Sequence, residues 1–429
     1  MKPTRIAQIP ATLGEKILIQ GWLHNKRSGG GIQFLLIRDG SGVIQGVVTK
    51  KNESAFALAE KLTQESSLQI WGTAKADPRA PTGYELAIDK VELIHLAQEY
   101  PIGLKEHGPG FLMENRHLWI RSSKQTPILR IRHEVMQATR DFFDEKGFIA
   151  TESPILTPLS VEGTTTLFEV DYFDEKAYLS QSGQLYLEAT AMALGDVYWI
   201  GPTFRAEKSK TRKHLTEFWM AEAEMAFCNH DGNMQLQEEL VRYIVQRVLE
   251  KRSVELKALE RDSSALERAI RDPFARITYA QALDLLKELG LPKPWGEDFG
   301  APDEEALAKH FQRPLFIEKM PARMKAFYME PDPENPDLVL AADLIAPEGY
   351  GELIGGSQRI SSEEVLIGKL AQHNLPREPY EWYVDLRKYG SVAHAGFGMG
   401  VERMVAWIAG VEHLRECIPF PRMLHRLTP

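Results

Sequence analysis

The chain has 429 residues, 43% of them hydrophobic and 26% charged, which is enough to bury large cores and too long for one ordinary domain, so two or three domains are expected. A net charge of −9 excludes a general nucleic-acid coat, which would be basic; yet residues 1–50 carry seven Lys or Arg against only Glu15 and Asp39, a local balance of +5 that suits contact with a polyanion at defined places. No stretch of 18 apolar residues occurs, Met1 to Gly21 holds no apolar run flanked by basic residues and a small-residue cleavage site, and the distant Cys228 and Cys417 form neither a CxxC pair nor a disulfide framework, so a cytoplasmic protein with no membrane partner is expected.

The first hundred residues read as short strands. Lys16–Asn25, Ile32–Arg38 and Val43–Thr49 are rich in Ile, Val and Leu and are parted by the turns Gly29-Gly30-Gly31 and Gly40-Ser41-Gly42. Ala55–Leu62 has helix-forming composition, and two further strands follow at Ser67–Lys75 and Tyr84–Ala97, divided by a turn at Pro78–Gly83. Three strands, a helix and two strands is the order of an OB-fold, a small barrel that often binds oligonucleotides. Domains are expected at 1–100 (the OB-fold), 101–125 (a linker holding Pro101, Gly108, Pro109 and Gly110) and 126–429. The last opens with Ile128, Ile131, Val135, Ala138 and Phe142 on one helical face, a helix that Gly147 can end. Beyond it strands and helices mix without a βαβ rhythm, and the helical stretches at roughly 229–270 and 302–312 read as insertions around a sheet.

No GxxxxGK[ST] phosphate loop occurs, because Gly368-Lys369 is followed by Leu370, and the glycines of 396–400 are wrongly spaced for a dinucleotide site. Three other segments carry chemistry together. The first is Gly147-Phe148-Ile149-Ala150-Thr151-Glu152-Ser153-Pro154, a helix end passing into a strand. In the second, Gly201-Pro202-Thr203-Phe204-Arg205-Ala206-Glu207 leads through a basic loop to His214-Leu215-Thr216-Glu217-Phe218. Arg205 can hold an α-phosphate in a planar fork, Glu207 can accept from an adenine amino group, and Phe218 offers its ring a face. In the third, Gly396-Phe397-Gly398-Met399-Gly400-Val401-Glu402-Arg403, glycines admit a ligand close to the backbone and Arg403 opens a helix.

In this order the three segments resemble the signature motifs of the class II aminoacyl-tRNA synthetases, and with the OB-fold the chain is similar to subclass IIb, which handles aspartate, asparagine and lysine. The resemblance runs from about residue 15 to the C-terminus. It implies an α+β protein, an OB-fold barrel plus a catalytic domain on an antiparallel sheet flanked by helices, with ATP as substrate and Mg²⁺ as its companion. It implies catalytic roles for Arg205, Arg403 and Glu352, an ATP site of Arg205, Glu207, His214, Leu215, Phe218, Glu352, Gly400 and Arg403, and metal ligands Asp343 and Glu352. Gly355 stands where those relatives often carry a metal-linked serine. The amino-acid site implied is Glu162, Gln181, Ser182, Gln184, Glu188, Arg205 and Arg359; the anticodon readers are Arg27, Phe34 and Gln45; and the segment holding Pro154 implies a homodimer.

The choice of amino acid turns on Gln181-Ser182-Gly183-Gln184-Leu185-Tyr186. In aspartyl enzymes a lysine follows and pairs with the substrate carboxylate, whereas here Leu187 and Glu188 follow. A carboxylate facing Glu188 would be repelled, while an amide could donate to Glu188 and accept from Arg359. The expectation is therefore an asparaginyl-tRNA synthetase type of enzyme acting on asparagine, ATP and tRNA(Asn). Asp385-Leu386-Arg387-Lys388-Tyr389-Gly390 and Ile418-Pro419-Phe420-Pro421-Arg422 agree, but Arg426-Leu427-Thr428-Pro429 is similar to archaeal aspartyl enzymes. The alternatives are an aspartyl enzyme, including one that charges both tRNAs, an aspartate-adenylating asparagine synthetase-like paralogue, and a non-catalytic RNA-binding protein.

Overall fold

The computed structural model describes residues 2–80, 82–103, 105–162 and 166–429. The chain divides into two compact units, Met1–Pro109 and Gly110–Pro429.

In the first unit, strands β1 (Lys16–Gly29), β2 (Ile32–Arg38), β3 (Val43–Thr49), β4 (Ser67–Ala76) and β5 (Tyr84–His95) close a barrel in the order β1-β2-β3-β5-β4. Alternate residues along β2, Gln33, Leu35 and Ile37, point inward and are buried, which leaves Phe34 and Leu36 on the outer face. A helix at Glu53–Lys61, its first turn capped by the Asn52 side chain, sits between β3 and β4 and buries Ala55, Phe56 and Ala59 against the barrel.

The second unit carries β6 (Ile149–Ala150), β7 (Leu156–Thr157), β8 (Glu169–Tyr172), β9 (Glu175–Leu179), β10 (Asp196–Phe204), β11 (Glu217–Ala226), β12 (Ala275–Thr278), β13 (Leu315–Pro321), β14 (Leu338–Ala346), β15 (Gly351–Arg359) and β16 (His394–Gly400). Eight of these form one sheet in the order β12-β13-β14-β15-β16-β11-β10-β6. The pairings from β13 through β10 are antiparallel, and the outer strands β12 and β6 join parallel. The remaining three strands make a small sheet, β7-β9-β8.

Helices Gln125–Glu145, His230–Lys251 and Val401–Ala409 cover the back of the large sheet and share its main core. Two expectations change here. The stretch 110–125, read as linker, packs into the second unit: Arg116 is fully buried and donates to the carbonyls of Ile418 (2.8 Å) and Pro419 (2.8 Å). The helix His230–Lys251, read as part of an insertion, is a core layer; Leu240, Val241, Ile244 and Val245 are fully buried, Asn233 and Gln237 are buried with them near its start, and its charged residues lie mostly on the other face. Polar composition misled because only one stripe of a helix needs to be apolar.

A buried carboxylate fastens the back layer to the front. Glu402 accepts from Arg132 Nη1 (2.7 Å) on the helix Gln125–Glu145 and from the Trp219 backbone N–H (3.0 Å) on β11. Arg132→Met would leave that charge buried and unpaired, and unfolding in urea should show a loss of about 3–5 kcal/mol. A loss under about 1 kcal/mol would mean that Glu402 finds another partner.

Candidate active site

Strands β10 and β11 pair from Asp196↔Met225 to Phe204↔Glu217, so the loop 205–216 projects from the end of the sheet beside the start of the helix Val401–Ala409. The front face of the sheet carries two cavities that share Arg205, Met220, Glu352 and Gly398. All eight residues expected at the nucleotide line the first. The Arg205 guanidinium lies 5.5 Å from the centre of the Phe218 ring, and its enclosed Nε has no hydrogen-bond partner among the described residues. Arg403 Nη1 donates to the Glu352 carbonyl at 2.6 Å and lies 3.9 Å from its carboxylate. His214 stands 3.4 Å from Glu207, and burial together with nearby Arg403, Arg205 and Lys213 pushes its pKa below the usual value for histidine. These cations lie around a cavity that has Glu207 and the Phe218 ring on its wall, an arrangement that suits a phosphorylated nucleoside.

The second cavity, of about 250 Å³, is lined by five of the residues expected at the amino acid, Glu162, Ser182, Gln184, Arg205 and Arg359, and by Asp343 and Glu352. Two expected residues lie elsewhere. Gln181 is buried and accepts from the backbone N–H groups of Val161 (3.1 Å) and Glu162 (3.0 Å), so it shapes the loop that presents Glu162. Residues 163–165 of that loop lie outside the described residues. Glu188 is fully buried behind the cavity and absent from its wall, so it cannot receive a substrate amide as expected. It lies on the helix Gln184–Leu194, one turn beyond Gln184, on the side facing Tyr383, Arg387 and His394. Leu187 packs with Ala191, Val197 and Trp199, so no cation enters from that position.

Two further carboxylates on the wall, Glu222 and Glu224, were missed from the sequence. Their spacing in Met-Ala-Glu-Ala-Glu-Met puts both on one face of β11, a signal that period-2 alternation offered. Glu224 forms a forked ion pair with Arg359 (3.2 Å to Nε and 2.5 Å to Nη2), and Arg359 Nη1 donates to Ser357 (2.7 Å). Burial pushes the Glu224 pKa up while the Arg359 fork draws it down. Gly396 is required beneath this pair, since a β-carbon there would collide with the Glu224 carboxyl group. Asp343 accepts from Lys325 Nζ at 2.6 Å. A β-carbon placed on Gly355 would lie 2.8 Å from Glu352 Oε1 and 3.8 Å from Asp343 Oδ1, so both carboxylates reach the same spot.

On the barrel, Arg27 faces Phe34 across the β1–β2 pairing, its guanidinium 4.6 Å from the ring centre, and Arg27 Nη2 donates to Gln45 Oε1 at 3.0 Å. Phe34 is half-buried on the outer face and stands apart from the barrel core.

The sequence pattern of the tRNA synthetases class II (D, K and N) matches residues 109–424, and that of the OB-fold nucleic acid binding domain matches residues 17–94. The chain belongs to the class II tRNA synthetases of this group. Within the group it is similar to the asparagine–tRNA ligase of Pelotomaculum thermopropionicum, 58% identical over 431 residues with all of both chains covered. Its fold matches that of the asparaginyl-tRNA synthetase from Pyrococcus horikoshii complexed with asparaginyl-adenylate, at a TM-score of 0.96 and 43% identity over the whole of both chains. The aspartyl-tRNA synthetase of Entamoeba histolytica stands further off, with a TM-score of 0.84 and 26% identity over all of this chain and 93% of that one. No helix among the described residues of this class II synthetase is long and apolar enough to cross a membrane.

Burial pushes Glu222 up to about 7, although the Gly183 N–H donates to it at 2.7 Å. Between about pH 4.5 and 7 the folded chain keeps a proton there that the unfolded chain has lost, so this residue withdraws stability as pH rises through that window. Glu222→Gln should therefore be more stable than the parent at pH 8, by up to about 3 kcal/mol, with the gap closing toward pH 4.5. Urea melts at the two pH values measure this; a gap that does not change with pH would show that Glu222 titrates normally.

Proposed function

We propose that the chain activates L-asparagine with ATP and passes the asparaginyl group to tRNA(Asn). The observation that carries this reading is the meeting of the two cavities at Arg205. An aminoacyl-adenylate is a linear molecule with its phosphate between nucleoside and amino acid, and a guanidinium with an unpartnered nitrogen stands at the corresponding joint. End-to-end similarity to asparagine–tRNA ligases supports the same reading.

The asparagine carboxylate attacks the α-phosphorus and pyrophosphate leaves; a tRNA ribose hydroxyl then attacks the acyl carbon and AMP leaves. Neither step needs a protein nucleophile, so the side chains contribute alignment and charge stabilisation. Arg205 holds the α-phosphate and the carboxylate in register. Arg403, with His214, takes the far phosphates. Phe218 stacks on the adenine, Glu207 accepts from its amino group, and Leu215 and Gly400 leave room for the ring and ribose. At the amino-acid end Glu162, to which Tyr328 donates at 3.0 Å, receives the α-ammonium, with Ser182 and Gln184 beside it.

Arg359 and Glu224 read the side chain. They offer a donor and an acceptor side by side, the complement of an amide's oxygen and NH2, whereas an aspartate carboxylate would set like charge against Glu224. Unpaired polar groups of this kind can reject the wrong ligand by roughly 10⁴–10⁵-fold. Asp343 and Glu352 would hold Mg²⁺: no group of three or more metal-binding side chains occurs among the described residues, but two convergent hard oxygens suit an ion that takes its other ligands from phosphates and water. When bound, it would neutralise phosphate charge. On the barrel, Phe34 stacks an unpaired anticodon base while Arg27 and Gln45 meet base edges. A second copy of the chain would cover Ile149, Ile155 and Leu156, which are exposed around Pro154, giving a homodimer that acts in the cytoplasm.

Amino-acid-dependent ATP–pyrophosphate exchange without tRNA tests the reading. Asparagine should support exchange and aspartate should not; exchange with aspartate alone would overturn the choice of substrate. Phe34→Ala should leave this exchange unchanged and raise the KM for tRNA(Asn) in aminoacylation by roughly 5–150-fold, the equivalent of one stacked base. An unchanged KM would remove Phe34 from the RNA-binding face.

A further inference from the structure

Glu188 lies behind the amino-acid cavity, fully buried, with every contact coming from a donor. Its Oε1 accepts from Gln184 Nε2 (3.1 Å) and the Tyr383 hydroxyl (2.7 Å). Its Oε2 accepts from Arg387 Nη2 (2.7 Å) and His394 Nε2 (3.0 Å). An ionised carboxylate is acceptor-only, so whatever end of Gln184 meets it must be the NH2. Burial alone would raise the Glu188 pKa, but Arg387 and His394 draw it well below the usual carboxylate range.

Gln184 lines the cavity, and the two ends of a glutamine amide have nearly the same shape, so only its hydrogen bonds decide which end faces a ligand. We infer that Glu188 is a positioning residue that pins the NH2 of Gln184 inward, so that Gln184 presents an acceptor, its carbonyl oxygen, to the α-ammonium of the substrate beside Glu162. An ammonium is a triple donor and needs acceptors on its wall. This rests on the amino-acid-activating reading given above. A glutamine at 188 keeps the shape but can itself donate to Gln184, which frees that amide to turn its NH2 toward the ammonium.

The test is ATP–pyrophosphate exchange by the full chain with Glu188→Gln, together with inhibition by succinamic acid, which is asparagine without its α-amino group. The KM for asparagine should rise about tenfold, with the KM for ATP within about twofold and succinamic acid inhibiting as before. In a Gln184→Met background, Glu188→Gln should add nothing further, because the effect passes through Gln184. A full additional effect in that background, or an equal rise for asparagine and ATP, overturns the inference. If Glu188→Gln fails to fold because Arg387 is left unpaired, the double variant Glu188→Gln, Arg387→Met removes both charges and should show the same split; an unchanged asparagine KM in the folded double variant also overturns it. Should the unvaried chain exchange only with aspartate, the proposed function falls while the Gln184 geometry is still decided, since aspartate carries the same ammonium and the same split is then read with it.

Discussion

Arg359, Glu224, Glu188, Arg387 and His394 form one buried block behind and beneath the amino-acid cavity, and the shape of that cavity depends on their mutual neutralisation. Isolated charges would be costly at this depth, so the fork between Arg359 and Glu224 and the donors around Glu188 must form together. The sheet makes this possible: Arg359 and His394 are register partners on β15 and β16, while Glu224 stands opposite Gly396, where the missing side chain leaves room for the carboxylate. A ligand that enters meets groups whose positions are already fixed, so little reorganisation is left for the moment of reaction.

Much of this arrangement was legible in the sequence. The barrel could be read because hydrophobic alternation and glycine turns are local signals, and the five strands and their helix fall where those signals lie. Of the eight expected residues that line the first cavity, seven come from two short motifs whose own chemistry narrows their use, and Glu352 came only from the family resemblance. What could not be read was the direction of a side chain on a helix. Gln184 and Glu188 stand one turn apart and share a contact, yet one reaches the cavity and the other the interior, and that depends on Tyr383, Arg387 and His394, some two hundred residues away. The place on the cavity wall expected of Glu188 is taken by Glu224, whose only sequence signal was its alternation with Glu222 along β11.

The helices behind the sheet are a second case. His230–Lys251 was read as peripheral because its composition is polar, but a helix pressed against a flat sheet buries only a stripe. The stretch 101–125 was read as a linker because of Pro101, Gly108, Pro109 and Gly110, and its part beyond 109 is held in place by the Arg116 side chain, which donates to the distant backbone carbonyls of Ile418 and Pro419. Long-range contacts of this kind leave no local pattern.

The Glu402 clamp has a consequence for motion. Its carboxylate holds the Trp219 amide of β11 and the Arg132 guanidinium of the back layer at once, so the strand that carries Phe218 cannot peel away without disrupting the main core. Opening there requires the main core to come apart, so the Trp219 amide proton should be among the slowest to exchange with heavy water. The cavity beside Phe218 thus has one wall that opens only when the core itself comes apart.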